Sequence, residues 1–325
     1  MSKLLEITEL CVRVPRPGAL WQRLRGRNPP PLEILCGVTL DLAAGETLAL
    51  VGESGSGKTT LARAIMGLQP FSTGSIRFEQ AVLTGRGQRR WHRLRRRAAM
   101  MFQDPVASLS PRLTVGTLVT EPLVIHGRPL PDRAAEAARL LSMVGLSPDM
   151  AGRYPRELSG GQARRVTVAR AVAMGPKLVV ADEPTAGLDV SVQAEILNMM
   201  TGLQRDLGVA YLLITHNLAV VRHVSQRMAV LYLGHLVEVG PTDAVTARPR
   251  HPYTRALLAS EPAIDPAHRP MGPMLQGEVP SLYDRPKGCA FHTRCPEATD
   301  VCRVVQPAPR PVGAGHIVAC HNLGD

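Results

Sequence analysis

The chain opens with alternating apolar and polar positions: Leu5, Ile7, Leu10, Val12 and Val14. That period of two predicts a strand over residues 3–14 at a sheet edge. Ile34 to Leu42 is a second strand candidate. After a turn at Gly45-Glu46, the run Thr47 to Val51 is apolar almost throughout, as in a strand covered on both faces. A glycine-rich loop follows, then a helix from about Thr59 to Gly67. Gly74 opens a further strand, Ser75 to Phe78. Residues 112–157 carry helical spacing, including the alanine-rich segment Asp132 to Val144. Strand signals return at Lys177 to Asp182 and Val209 to Thr215, separated by an amphipathic helix, Ser191 to Leu207. Met228 to Tyr232 and His235 to Val239 read as a hairpin around Gly234. Strands alternating with helices predict an α/β fold with a largely parallel central sheet, interrupted by a helical insertion.

Two segments break the pattern. Residues 15–31 are rich in Pro, Arg and Gly and read as a loop or insertion. Past Pro249 prolines become dense, periodicity fades, and four of the six cysteines appear. A boundary near 241–255 is expected there. The chain shows no internal repeat.

Composition narrows the classes. At 325 residues, 45% hydrophobic and 20% charged, the chain can bury a sizeable core. No apolar run approaches the roughly 18 residues of a membrane span, and the N-terminus lacks the pattern of a secretory leader. The cytosol is the expected compartment, where cysteines serve as thiols or metal ligands rather than disulfides. The net charge of +11 comes almost wholly from arginine, since only Lys3, Lys58, Lys177 and Lys287 are lysines. A basic chain suits nucleic acid or anionic lipid, but it suits an ordinary solvated surface as well. The basic run Arg86–Arg97 reads as a solvated helix face.

Candidate chemistry starts at Gly52-Glu53-Ser54-Gly55-Ser56-Gly57-Lys58-Thr59, which fits G-x-x-x-x-G-K-[ST]. Glycines let successive N–H groups turn inward around a phosphate, and the helix beginning near Thr59 and Thr60 adds its dipole. Lys58 would reach the β- and γ-phosphates of a nucleotide, and the Thr59 hydroxyl would hold Mg²⁺. Leu178 to Asp182-Glu183 is an apolar strand ending in two carboxylates. Asp182 would hold Mg²⁺ and Glu183 would polarise an attacking water. Between the two lies Leu158-Ser159-Gly160-Gly161-Gln162. There Ser159 stands where it would cap the next helix, and two glycines expose backbone donors. This is a second anion site, more than one nucleotide in one chain needs.

In this order the motifs resemble the ATP-binding subunit of an ATP-binding-cassette (ABC) transporter. The resemblance covers about residues 4–245 and takes in Gln103 in Met-Phe-Gln-Asp, Asp189 in Gly-Leu-Asp and His216 in Ile-Thr-His-Asn. It implies a mixed-sheet ATPase core with an antiparallel β subdomain, and a helical subdomain over about 104–160. It further implies head-to-tail dimers, with ATP between the phosphate loop of one subunit and the Ser159–Gln162 signature of the other. Glu183, His216 and Gln103 would be catalytic, with Thr59, Gln103 and Asp182 around Mg²⁺ and Asp189 bridging the dimer. Two positions depart from the family pattern: Asn217 stands where an acid is usual, and no aromatic near Pro29 to Leu32 is placed to stack on adenine, Trp21 being the nearest.

The tail is similar to the C-terminal extension of oligopeptide, dipeptide and nickel importer ATPases. The residues that carry the likeness are His251 to Leu258, Gly277 to Pro280, Gly288 to Pro296, Cys302 and His316 to His321. The segment Asp104-Pro105 to Arg112 points to the second ATPase subunit of such systems. A domain division at 1–245 and 246–325 follows. The resemblance implies a second ATPase subunit, two transmembrane permeases and an extracytoplasmic substrate-binding protein as partners, at the cytoplasmic face of the membrane. The cargo would be di- or oligopeptides, or alternatively nickel or a nickel complex. Cys289, Cys295, Cys302 and Cys320 are spaced C-x₅-C-x₆-C-x₁₇-C, without the short knuckles of structural zinc sites. A [4Fe–4S] cluster, as in members with such cysteines, zinc and unligated thiols stay open. Cys11 and Cys36 read as small apolar fillers in strands. A nucleic-acid-linked ABC protein has only the basic charge in its favour, and nucleic acid is not expected as a partner. A catalytically dead regulatory cassette is disfavoured by the intact Lys58, Asp182, Glu183 and His216.

Overall fold

All five residues of the strand Thr47–Val51 are buried, and this strand delivers the chain to the glycine loop. The computed structural model describes residues 3–18, 21, 29–83, 88–260 and 277–323, and at 88, 89, 105 and 106 the backbone alone. Most of the expected 15–31 insertion, with residues 86 and 87 of the basic run, lies outside the described residues. The chain divides into two compact units. One is drawn from 1–4, 42–47 and 87–214, the other from 5–41, 48–86 and 215–325.

In the first unit Ala98–Met101, Leu178–Asp182 and Ala210–Ile214 pair in parallel, with Ala98 opposite Leu178 and Leu178 opposite Ala210. Leu178 to Asp182 is buried at every position, as a central parallel strand requires. The expected helical insertion is present. Its helices Val115–Ile125 and Arg133–Met143 are capped by Thr114 and Asp132, whose side chains accept from Thr117 N and Ala135 N. Leu118, Val119, Leu140 and Leu141 are among its buried apolar residues. In Gln88–Arg95 the basic run forms a helix that buries Trp91 and Leu94 and exposes Arg93 and Arg95.

In the second unit Thr47–Val51 pairs in parallel with Arg227–Tyr232, Val51 facing Val230. The expected hairpin joins Arg227–Tyr232 to His235–Pro241 in antiparallel register. Residues 277–323 then extend the same sheet, since His316–Val318 pairs with His235–Pro241 and with Arg310–Gly313. A four-stranded sheet runs in the order Leu32–Ala43, Lys3–Val14, Thr73–Phe78, Ala81–Val82, so Lys3–Val14 lies inside the sheet and not at the edge its alternation predicts. Near the boundary expected at 241–255 the core is continuous: Tyr232, Tyr253 and Phe291 pack together, with ring centroids 4.6 to 5.3 Å apart.

Cys11 and Cys36 depart from the filler role. Both are half-buried; the Cys11 sulfur accepts from Gly37 N, and the Cys36 sulfur accepts from the Arg285 guanidinium. Both sulfurs lie among polar partners, accepting from and donating to them, rather than packing as methyl groups.

Candidate functional site

The phosphate loop leaves no room for side chains where it turns. A Cβ on Gly52, at φ +150°, would lie 2.1 Å from the Leu231 carbonyl oxygen, and one on Gly57, at φ +108°, would lie 2.8 Å from the Leu35 side chain. Only glycine fits both the backbone and the space. Lys58 opens the helix Lys58–Ile65, with Thr59 and Thr60 in its first turn. Its Nζ donates to the carbonyls of Gly52 at 2.7 Å and Glu53 at 2.8 Å. The ammonium thus lies inside the curve of the loop, close to where a phosphate would bind. Ser56 is buried, and its carbonyl accepts from Gly234 N at 2.8 Å.

In the first unit Asp182 ends the strand Leu178–Asp182 and is 4% exposed. Glu183 follows with φ +50°, a conformation uncommon for a residue with a side chain, and its N–H donates to the Ile214 carbonyl at 2.8 Å. This turn swings the Glu183 carboxylate to Gln103, whose Nε2 donates to Oε2 at 3.2 Å. The structure therefore brings the predicted water-polarising acid and the predicted coupling glutamine together.

Sequence reading missed Arg164. It lies on the helix Gly160–Val172, is 2% exposed, and donates to the carbonyls of Gln103 at 3.2 Å and Ala186 at 2.9 Å. One guanidinium thereby ties the signature helix to both the Gln103 segment and the loop leading to Asp189. Burial lowers the pKa of Arg164. Its Nε has no hydrogen-bond partner, a cost the two carbonyl bonds must outweigh.

Ser159 caps the helix Gly160–Val172. Its hydroxyl accepts from Gln162 N, while the Gln162 side chain accepts from Ser159 N at 3.0 Å. This reciprocal box occupies the Gln162 amide and fixes the helix N-terminus, where Ser159 and Gly160 are exposed. Asp189 likewise caps Val190–Leu207, accepting from Val192 N at 2.9 Å. A Cβ on Gly161 would fall 2.9 Å from Val192, so the two helix starts approach closely. In the second unit His216 is exposed, and Asn217 caps Leu218–Val224 by accepting from Val220 N at 3.2 Å. Trp21 is 71% exposed.

The four tail cysteines are free thiols. Cys289 and Cys302 are buried in the apolar layer around Phe291, and Cys295 packs against it. Burial raises the pKa of Cys289 and Cys320 and pushes that of Cys295 up to about 11, which favours neutral thiols. Cys302 sits 3.3 Å from the Thr299 hydroxyl. Among the described residues no group of three or more His, Cys, Asp or Glu side chains is arranged to hold a metal ion. Nothing in this arrangement supports a [4Fe–4S] cluster.

Comparison with known proteins agrees with the geometry. The ABC transporter family pattern matches residues 35–186, and that of the oligopeptide/dipeptide transporter C-terminal region matches 237–302. A probable peptide ABC transporter ATP-binding protein of Sinorhizobium fredii is 48% identical over 296 residues, 90% of this chain and 84% of that one. A putative peptide import ATP-binding protein of Brucella abortus is 50% identical over 287 residues, covering 87% and 85%. Among solved structures, cbiO1 of Clostridium perfringens, part of an ABC transporter complex, superposes with TM-score 0.66 at 25% identity, covering 76% of this chain and 92% of that one. The ATP-binding cassette MJ0796, bound to ADP and Pi, gives TM-score 0.64 at 26% identity, covering 73% and 98%. The chain belongs to the ATP-hydrolysing subunits of ABC transporters, in the group that carries the oligopeptide/dipeptide transporter C-terminal region.

Proposed function

We propose that this chain is the ATP-hydrolysing motor of a peptide importer. The observation that carries the ATPase half is the phosphate loop, closed to any side chain at Gly52 and Gly57, with the Lys58 ammonium inside its curve. The peptide half rests on relatives named for peptide import.

In this reading the loop from Gly52 to Thr60, including Glu53, Ser54, Gly55 and Ser56, binds the phosphates of ATP. The Thr59 hydroxyl, the Asp182 carboxylate and the Gln103 amide are hard oxygen donors of the kind Mg²⁺ takes. The ion would neutralise charge developing on the phosphates. Glu183 accepts a proton from the attacking water, and His216 contacts the γ-phosphate. The signature of a second ATPase subunit, equivalent to Ser159 to Gln162, completes the site, with Asp189 at the dimer contact. ATP binding then closes the dimer. Gln103 relays that closure to one of two permeases, which a substrate-binding protein supplies. A cavity of about 200 Å³ beside the Gln103 segment supports a docking face there; Arg95, Met100, Phe102, His126 and Arg170 line it, and Phe102 is exposed. No helix among the described residues is long and apolar enough to cross a membrane. In this reading the chain attaches peripherally to its permeases, at the cytoplasmic face.

Reconstitution of the full transporter in vesicles tests this reading. ATP-driven uptake of labelled di- or oligopeptides, abolished by Lys58→Ala, is expected. Uptake of Ni²⁺ in place of peptides overturns the cargo, and ATPase activity untouched by Lys58→Ala overturns the site. The [4Fe–4S] assignment of Cys289, Cys295, Cys302 and Cys320 rests on the resemblance alone. Iron and acid-labile sulfide analysis of the anaerobically purified full chain tests it: about four of each per chain supports the cluster, and none removes it.

A further inference from the structure

The C-terminal extension meets the phosphate loop at Glu53. Four groups hold that residue, one of them the Ser56 N–H, which donates to its carbonyl at 3.2 Å. The Glu53 N–H donates to the Tyr253 hydroxyl at 2.8 Å. Its carbonyl accepts from Lys58 Nζ at 2.8 Å. Its carboxylate accepts two bonds from the Arg294 guanidinium, at 2.7 and 3.1 Å. The Arg294 side chain is 5% exposed and that of Glu53 24%. Tyr232 and Phe291 pack edge to face around this contact, Tyr253 packs tilted against both, and Arg294 lies over the rings of Tyr232 and Phe291 at 5.9 and 6.0 Å. The G-x-x-x-x-G-K-[ST] pattern leaves the position of Glu53 unspecified, so the motif itself does not ask for this arrangement.

The arrangement solves an electrostatic problem. A carboxylate one residue into a loop built for a polyphosphate repels its ligand. A two-pronged guanidinium removed from solvent offsets that charge more effectively than a surface ion pair can. Tyr253 fixes the same residue through the backbone. With its N–H committed to Tyr253, Glu53 belongs to the loop as an anchored residue and not as a phosphate donor. We propose that Arg294 and Tyr253 are positioning residues for ATP binding, and that the C-terminal extension is thereby a structural part of the nucleotide site. Because such coupling is reciprocal, ATP binding in turn stabilises the extension. The inference rests on the reading of Gly52 to Thr59 as the ATP phosphate site.

The test measures Mg·ATP affinity of the purified full chain and the ATPase KM and kcat of the assembled transporter. Arg294→Gln is expected to raise the Kd about tenfold, equivalent to about 1.4 kcal/mol, with KM rising far more than kcat falls. Adding Glu53→Gln to Arg294→Gln should restore affinity to within about threefold, because the charge left unpaired is removed with it. Tyr253→Phe keeps the ring and loses only the acceptor, so it should raise the Kd several-fold with no shift in the pH profile. An Arg294→Gln Kd within about twofold of the parent overturns the proposal, as does a loss that Glu53→Gln fails to restore and that follows a lowered Tm. Should Arg294→Gln fail to fold, Glu53→Gln alone decides: affinity equal to or tighter than the parent supports the proposal, and a tenfold loss, about 1.4 kcal/mol, refutes it. Lys58→Ala separates the two readings, since a parent-like Kd in that variant removes the phosphate site itself.

Discussion

The side-chain amide of Gln103 donates to the carboxylate of Glu183, Nε2 to Oε2, at 3.2 Å. The contact links the residue proposed to sense the membrane partner with the one proposed to activate water. Glu183→Gln keeps the size of the side chain and removes its basicity. It should lower kcat of the assembled transporter by at least about a hundredfold while Mg·ATP still binds. Phosphate release and equilibrium nucleotide binding, measured on the same preparation, check this; unchanged turnover would remove Glu183 from the chemistry.

Arg164 carries a structural load that Lys cannot take over. Its two terminal nitrogens serve carbonyls on different segments, Gln103 and Ala186. A lysine offers a single nitrogen and would have to bury it. Arg164→Lys should destabilise the chain by about 1–3 kcal/mol, the range for a buried carbonyl left unsatisfied. A lowered denaturant midpoint with unchanged slope would report it, together with weaker coupling of ATPase to transport. Arg164→Lys with parent stability would show the fork to be dispensable.

How far the sequence disclosed this site depends on how local each requirement is. The phosphate loop was legible because its glycines, lysine and threonine are consecutive and each answers a backbone demand, as Gly52 and Gly57 show. Ser159 was legible as a cap because its partner is three residues away. Arg164 was not, because its partners are main-chain oxygens 61 and 22 residues distant, and a carbonyl leaves no mark on a sequence. Glu53 and Arg294 are 241 residues apart and occupy positions neither pattern constrains. The tail cysteines show the same limit: their spacing is silent about burial, and burial here raises the pKa of Cys289, Cys295 and Cys320.

Asn217 replaces the acid usual after the switch histidine, and its role here is local. Its Oδ1 accepts from Val220 N and caps the helix Leu218–Val224. Asp caps about as well as Asn, whereas Ala cannot accept the bond. Asn217→Asp should therefore be neutral to within about 0.5 kcal/mol, and Asn217→Ala should cost about 1 kcal/mol. Thermal unfolding of the two variants checks the order; a destabilised Asn217→Asp would place another demand on this position.

Two histidines of the second unit must stay neutral for the fold to hold. His251 Nδ1 accepts from Tyr253 N at 3.0 Å, and burial, with Arg255 nearby, lowers its pKa to about 3. The His251 backbone N–H is held by Glu238, which also bonds His316. His235 Nε2 lies 3.2 Å from an Arg285 nitrogen and acts as acceptor, with its pKa lowered to about 4 by burial and that guanidinium. Both start from 6.5 in the unfolded chain. Above that value neither state binds the protons, and stability is unaffected. As pH falls below 6.5 the unfolded chain takes up protons that the folded one refuses, so stability is lost progressively toward pH 4. Each histidine contributes a slope of up to about 1.4 kcal/mol per pH unit. His251→Asn keeps a capping acceptor and removes one titrating group. Unfolding free energies measured from pH 7 downward should therefore fall less steeply in His251→Asn than in the parent, and equal slopes would mean that the ring at 251 takes no part in acid destabilisation.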